Sequence, residues 1–499
     1  MSGPPDGTAR RQGRTAVALA LSLALAGVVP GGSLDGQEMR GTLSHTGFYA
    51  ELRPLTLDSV GSSEVTPLSS STWSYEGLPI DCRGELCTRY RAGSVESTVS
   101  GTLDGSFTAW GWGVRGLSTT VSFRLRGRAG GDMLWPRTDD RLDLFLGYAQ
   151  YAAGRWRARL GRQRILAGLG RTAFDGASLV WVPRPGWRVE GYGGRSLARA
   201  LAEPRYEALE GLEDFLPDQD VWLMGGRLQA RPLDGLDLGL RYQREIFSDR
   251  SGLVSERASL DVRSYPWGRV RVDGSVDWDL GRQRVGKAEL AARVPLDGAR
   301  WTLEASASRY LPYFELWTVW GFFSPVPWNG VELRVDWAGE GETRAWVATA
   351  YRRYGETATQ EVLSPLEDTG RRAVVGGSWA PTEALVLRGE YRVEWSAGAF
   401  YNGGDAGVRL RVSPEVTVSA HATAFQQIQE FRVGDGTVLG GGLSVNTDLP
   451  YSLRLSAGVS AMRSPERGSA LRPDWTQLRG FWSLSVPLGD DPGLAERTP

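Results

Sequence analysis

Between Gly268 and Leu280 the chain alternates without a break. Arg269, Arg271, Asp273, Ser275, Asp277 and Asp279 hold the odd positions, and Val270, Val272, Gly274, Val276, Trp278 and Leu280 the even ones. Successive side chains of a strand point to opposite faces, so this stretch has one charged face and one apolar face. The pattern recurs from about residue 99 to residue 488 with no helical segment between. A soluble sheet or sandwich shows it once or twice. One aqueous and one apolar face on every strand describes a closed barrel in lipid, polar inside and apolar outside.

Gly41 to Leu57 reads as a first strand with poor alternation, and residues 58–98, rich in Ser, Gly and Pro, read as a long loop. Strands near 99–113 and 117–128 follow, the second opposing Val121, Phe123 and Leu125 to Ser122, Arg124 and Arg126. Leu142, Leu144, Leu146 and Tyr148 mark the apolar face of the next strand. Arg155, Arg157 and Arg159 then share a face, with Leu160 on the other. A glycine at 161 could form a bulge, and the register is expected to hold through Leu160 and to break at the strand's outer end. Further along, Trp187 and Val189 oppose Arg188 and Glu190, and Leu238 and Leu240 oppose Asp237 and Arg241. Leu303 and Ala305 oppose Glu304, and Leu387 and Tyr391 oppose Arg388 and Glu390.

The connections are asymmetric. Tight turns fall near 115–116, 154, 184–186, 232–235, 265–268, 295–298, 339–341, 381–383, 413–415 and 448–450, many with the Gly or Pro that sets turn dihedrals cheaply. Between them lie longer loops at 58–98, 129–139, 167–175, 197–219, 311–326, 355–370, 397–403 and 464–473, with two short exceptions near 248–251 and 282–283. Short turns on one rim and long loops on the other are the outer-membrane pattern, turns periplasmic and loops outside. The predicted fold is all-β: a single closed antiparallel transmembrane β-barrel of about 20–22 strands, within a range of 18–22. It occupies 37–499, and an even strand count puts both termini in the periplasm.

Composition changes the picture little. Hydrophobic residues make up 41%, and no central run of 18 apolar residues exists, so no helical span is expected. The 65 glycines suit turns and close backbone approach, and the 20 tryptophans suit the membrane–water interface. A net charge of −1 names no partner. Only Lys287 among the 57 basic residues is a lysine, which a GC-rich genome explains without phosphate recognition. Residues 1–36 read as a signal peptide: Arg10, Arg11 and Arg14 form the basic region, Thr15 to Val29 the apolar one, and cleavage is expected near Ala26 or shortly after. Export together with amphipathic strands implies a bacterial outer membrane, with its lipid and its barrel-assembly machinery as partners. Cys82 and Cys87 are the only cysteines, and a bridge between them would suit an oxidising compartment.

Candidate chemistry points to the lumen. The two histidines, His45 and His421, give little for catalysis, because a Ser–His hydrolase needs its base within hydrogen-bond reach of the nucleophile. His421 shares a face with Thr417 and Ser419 and is expected to point inward, where a lipid-side hydrolase would not have it. No metal spacing, cofactor motif, phosphate-cradling loop or nucleic-acid signature is present, so no enzyme is expected. Arg124, Arg126, Arg155, Arg157, Arg159, Arg188, Arg241, Arg269, Arg271, Asp273, Asp277, Glu304, Arg388 and Glu390 are the candidate pore-lining residues. Two readings of such a wall stand side by side: Arg ladders that select anions, or Arg–carboxylate pairs that keep a wide lumen open. The expected function is a channel for passive passage of small polar or anionic solutes or oligosaccharides. The alternative is a non-conducting barrel, a surface scaffold or adhesin acting through its loops. The apolar stretch 311–326 would fold inward, extend the wall or dock a partner.

Leu160-Gly161-Arg162-Gln163-Arg164, Gly168-Leu169-Gly170, Phe174-Asp175-Gly176 and Tyr192-Gly193-Gly194 resemble porin-like outer-membrane barrels, in particular the alginate-export type. The resemblance covers about 155–195 closely and the rest only as barrel pattern. It implies passive diffusion or polysaccharide export through an Arg-lined lumen. The chain departs from that pattern by running past its last strand to Pro499.

Overall fold

The structure is a computed structural model. It describes residues 38–489 apart from 53–54, 68–72, 76–77, 84–85, 93, 131–141, 168, 199–220, 249–251, 312–326, 356–367, 397–398, 430–433 and 465–474. The signal-peptide reading of 1–36 and the apolar stretch at 312–326 lie outside the described residues.

In chain order the strands begin with β1 (Glu38–Leu52). A group of short strands follows: β2 (Leu55–Gly61), β3 (Thr66–Pro67), β4 (Trp73–Tyr75), β5 (Leu78–Arg83) and β6 (Leu86–Ala92). Next come β7 (Glu96–Trp110), β8 (Leu117–Gly130), β9 (Leu142–Ala153), β10 (Trp156–Ala167), β11 (Gly170–Trp181) and β12 (Trp187–Ala198). Then β13 (Val221–Leu233), β14 (Leu236–Phe247), β15 (Leu253–Ser264), β16 (Arg271–Asp279) and β17 (Arg284–Leu296). They are followed by β18 (Trp301–Tyr310), β19 (Trp328–Ala338), β20 (Arg344–Tyr354), β21 (Thr369–Trp379) and β22 (Leu385–Ser396). The last are β23 (Ala399–Arg411), β24 (Val416–Gln429), β25 (Gly434–Leu449), β26 (Leu453–Ser464) and β27 (Trp475–Leu488).

All but β2–β6 join one antiparallel sheet of 22 strands, each paired with its neighbour in sequence. β1 pairs with β7 on one side and with β27 on the other, so the sheet closes. Closure satisfies every strand edge, which an apolar surrounding demands. The connections sort by length: the turns at 111–116, 154–155, 182–186, 234–235, 265–270, 297–300, 339–343, 380–384, 412–415 and 450–452 share one rim.

Side-chain parity divides the wall. Leu160, 69% exposed, Leu290, Val331, Val347, Val375 and Leu443 stand outside with nothing to bury against, as a lipid-facing surface requires. Near the turn rim that surface carries Trp156, Trp181, Trp187, Trp301, Trp337 and Trp379; Trp156 and Trp181 stack at 5.3 Å. Tryptophan belongs at that boundary, where its ring is apolar and its N–H meets water. The opposite parity carries the charges.

Several expectations are corrected. The first strand is Glu38–Leu52, not 41–57. The stretch expected as a loop over 58–98 contains a five-stranded antiparallel sheet, β2–β6. Its β5–β6 pair sets Cys82 opposite Cys87, and a disulfide joins them with Cα atoms 3.9 Å apart. The expected loops at 167–175 and 397–403 are mostly strand. Leu142, Leu144, Leu146 and Tyr148 do not share a face. The register of β8 with β9 shifts between Ser122 and Phe123, leaving Phe145 unpaired, so Leu142 and Leu144 face out while Leu146 and Tyr148 face in. Gly161 produces no slip, and no break follows Leu160. β10 keeps one register with β11 from Trp156 to Ala167, so Arg162 stays on the outside.

Candidate functional site

The lumen wall is a lattice of ion pairs, some across neighbouring strands and some between residues two apart on one strand. Arg124 Nε donates to Asp104 at 2.7 Å, and Arg126 pairs with Asp143. Arg188 lies 3.3 Å from Glu190, and Arg241 3.3 Å from Asp261. Arg271 reaches Asp273 at 2.6 Å, which Arg263 also holds at 2.9 Å, and Arg293 reaches Glu304 at 2.6 Å. Glu390 accepts from Arg392 at 3.2 Å. Register sets the cross-strand partners side by side, and period two sets the partners within a strand on the same inward face.

The proposed ladder on β10 does not assemble as a unit. Arg155 lies in the turn before β10 and donates to the carbonyl of Pro183 on the next turn. Arg157 points inward and is half-buried; Arg159 donates to Gln150 at 2.8 Å and lies 5.0 Å above the Tyr148 ring. Arg269 sits in the turn before β16, at the rim. Asp277 points inward but is only 9% exposed.

That burial belongs to a wider pattern. Inward-facing side chains at the loop-side ends of β10 to β16 are covered: Gln163, Phe174, Tyr192, Leu223, Glu245, Arg257 and Asp277. Phe174 and Tyr192 stack at 5.8 Å and pack with Ile165 and Leu223. Around them Gln163 accepts from Ser178 at 2.6 Å, and Tyr192 donates to Gln243 at 3.2 Å. This is a packed interior in which Gln163, Ser178, Tyr192 and Gln243 are hydrogen-bonded to one another or to backbone, while the Ser259 hydroxyl and one Arg257 nitrogen have no hydrogen-bond partner among the described residues. On β17 to β24 the inner wall is open: Arg293, Arg344, Arg388, Arg409 and His421 are exposed.

The open arc holds a cavity of about 1330 Å³. Its five carboxylates are all engaged: Glu304 with Arg293, Glu332 with Arg372, Asp336 with Arg334, Glu342 with Arg409 and Glu390 with Arg392. Its other arginines, Arg300, Arg344 and Arg388, have no carboxylate partner among the described residues. Arg388 lies 5.6 Å over the Trp346 ring, whose Nε1 donates to Glu390 at 3.1 Å; Arg334 lies over the same ring at 5.8 Å.

The three unpaired arginines fall on one rung of the sheet. Ala338 N donates to Arg300 O at 2.8 Å, and Ala338 faces Arg344 across β19 and β20. Arg344 faces Ser378, Ser378 faces Arg388, Arg388 faces Gly407, and Gly407 faces His421. Basic and small residues therefore alternate, with a basic side chain on every second strand, about 10 Å apart. A rung runs across tilted strands, so the row climbs from the turn rim toward mid-wall. Arg344 opens β20, Arg388 is the fourth residue of β22, and His421 is the sixth of β24. Sequence reasoning named Arg388 but missed Arg300, Arg344 and Trp346. Alternation was their only signal, and it says nothing of which charges find partners.

No protein-family model and no curated protein matches the chain. Among solved structures it is similar to a BenF-like porin from Pseudomonas fluorescens Pf-5, with 10% identity and a TM-score of 0.41 over 92% of this chain and 100% of that one. The outer membrane protein opdK from Pseudomonas aeruginosa gives 9% identity and 0.41 over 90% and 99%. A mutant of the ferric enterobactin receptor PfeA from the same organism gives 10% and 0.44 over 90% and 80%. Likeness at this level supports no inference about what this chain carries.

Proposed function

We propose that the protein is a porin-like channel of the bacterial outer membrane for small polar solutes, with a preference for anions. The observation that carries this is the rung of Arg300, Arg344 and Arg388: in a lumen whose other charges are largely paired, these guanidinium groups line a cavity without carboxylate partners. A paired arginine offers a passing anion little, because its donors are engaged. A free one offers charge and a forked set of donors. The short-turn rim is the periplasmic one in this reading, so the row begins at the periplasmic mouth.

The test is a reversal-potential measurement in planar bilayers under a salt gradient. The wild-type barrel should favour anions. Replacing Arg300, Arg344 and Arg388 together with Gln should move the selectivity toward cations and leave assembly intact, because lumen substitutions tune selectivity. Replacing Arg124, Arg126 and Arg271, which are all paired, should move it less. Equal shifts from both sets would defeat the assignment.

A second reading, a closed barrel that serves as a surface scaffold, draws on one observation. The loop-side wall of β10 to β16 is covered by packed chain. It expects no conductance from wild-type protein, so the same bilayer measurement separates the two.

A further inference from the structure

The outer face of the barrel carries arginines at one height. Arg309, Arg353 and Arg371 each stand eight residues along their strand from an outward residue at the turn rim, namely Trp301, Ala345 and Trp379. Eight residues at ~3.3 Å each, on a strand tilted roughly 40°, climb about 20 Å. That places these guanidinium groups near the loop-side edge of an apolar band about 25 Å tall. All three are exposed, and none has a partner among the described residues. They are neighbours: Arg309 faces Asn329, Asn329 faces Arg353, and Arg371 faces Tyr351 two residues below Arg353.

Directly beneath them the lipid-facing wall is dented. A groove of about 560 Å³ runs over β17 to β21, floored by Ala292, Ala305 and Ala307, walled by Leu290, Val331 and Leu333, and reaching up to Arg371. A second dent, over β8 to β12, makes the contrast. Above it, Arg162 is spent on Asp175 through two hydrogen bonds of 2.8 Å.

We propose that the β17–β21 face is a binding site for one lipid, the phosphorylated glycolipid of the outer leaflet. An acyl chain fills the alanine groove, and a sugar phosphate sits on Arg309, Arg353 and Arg371. Charge and shape both fit that occupant. Uncompensated arginines at the edge of hydrocarbon match a phosphate held at headgroup depth, and the groove continues below them toward the bilayer centre. The assignment rests on the outer-membrane placement given above, with the loop rim outward. It does not depend on conduction, because all three arginines face away from the lumen.

The test uses the folded barrel in detergent and native mass spectrometry, with three probes: a bis-phosphorylated acylated glucosamine disaccharide, its dephosphorylated form, and phosphatidylglycerol. Wild-type protein should retain the bis-phosphorylated probe. Replacing Arg309, Arg353 and Arg371 with Gln should lower retention by about tenfold or more. Ala305→Phe, which fills the groove and leaves the arginines in place, should also lower it. Heat-dependent gel mobility checks that each variant is folded. Equal retention by the triple variant, or by the dephosphorylated probe, would overturn the site. Phosphatidylglycerol held as tightly would overturn the choice of lipid. The triple variant should conduct like wild type; a wild-type barrel that retains the probe but never conducts would sink the channel and leave this site standing.

Discussion

Gly161 adopts φ +122°, and a Cβ placed there would come within 2.3 Å of the Gly147 carbonyl oxygen on the neighbouring strand. At Gly176 a Cβ would lie 2.1 Å from the Gly193 carbonyl oxygen. Backbone cannot move aside as a side chain can, so Gly161→Ala and Gly176→Ala should each destabilise the barrel by roughly 1–3 kcal/mol. Gly191→Ala, with nothing within 4 Å of the added carbon, is the matched control. Urea midpoints of the detergent-folded protein compare the three, and a Gly191→Ala loss as large as the others would refute the steric account. The glycine-rich stretch over 160–194 was noticed in the sequence for its spacing alone. Its physical content appears only when Gly161, Gly176 and Gly194 fall on one rung. Charged positions behave the same way. Arg271 and Arg388 look alike along the chain, each alternating with apolar neighbours, yet one is bound to Asp273 and the other faces an indole. That difference is set by the neighbouring strand, which alternation cannot report.

Among the elements, β10 and β11 show how a pair of strands handles charge on the apolar side. Arg162 and Asp175 face outward in register, and the third donor of Arg162, Nη1, reaches the Leu144 carbonyl at 3.2 Å. On a face turned to lipid, the cost of desolvating both ions offsets most of their attraction, so the pair is expected to add little net stability over apolar residues of similar size, whereas leaving either partner alone is costly. Asp175→Leu should therefore lower the unfolding midpoint more than the double change of Asp175→Leu with Arg162→Met. A double-mutant cycle measures this, and additive losses would show the two side chains to be uncoupled. Strand type and most turn positions were readable because period two is strong within a single strand. The β9 face was misread because one extra residue, Phe145, reverses parity, and no residue there marks a bulge. The short strands at 55–92 were missed because runs of two to seven residues carry too little alternation to register.

The whole molecule reads as a wall with an insertion. β1 pairs with β7 along its full length, Glu38 opposite Trp110 and Leu52 opposite Glu96, so the β2–β6 sheet interrupts the chain without interrupting the barrel. Replacing residues 55–92 with a short Gly/Ser linker should leave an assembled barrel of unchanged heat-modifiability; loss of assembly would mean that the small sheet helps to build the wall. Strand number was legible to its upper bound because turns and loops alternate regularly. The uneven lumen, covered along β10 to β16 and open along β17 to β24, was not, because burial depends on what packs against a face.

The seam of the barrel has a further consequence for how it comes into being. Thr46 and Ser483 share a hydrogen bond across 437 positions of chain, between the first wall strand and the last. Until the ribosome has delivered β27, both edges of the growing sheet are bare, and bare edges invite pairing with any other chain. β26 cannot take the place of β27 in this sheet, since β1 and β26 both run antiparallel to β27 and so would meet parallel to each other. The nascent protein must therefore be kept apart from its own kind for the whole time of its synthesis and passage to the membrane. A chain that stops short of the last strand is expected to be an aggregation hazard, because it cannot close without abandoning the register of β1.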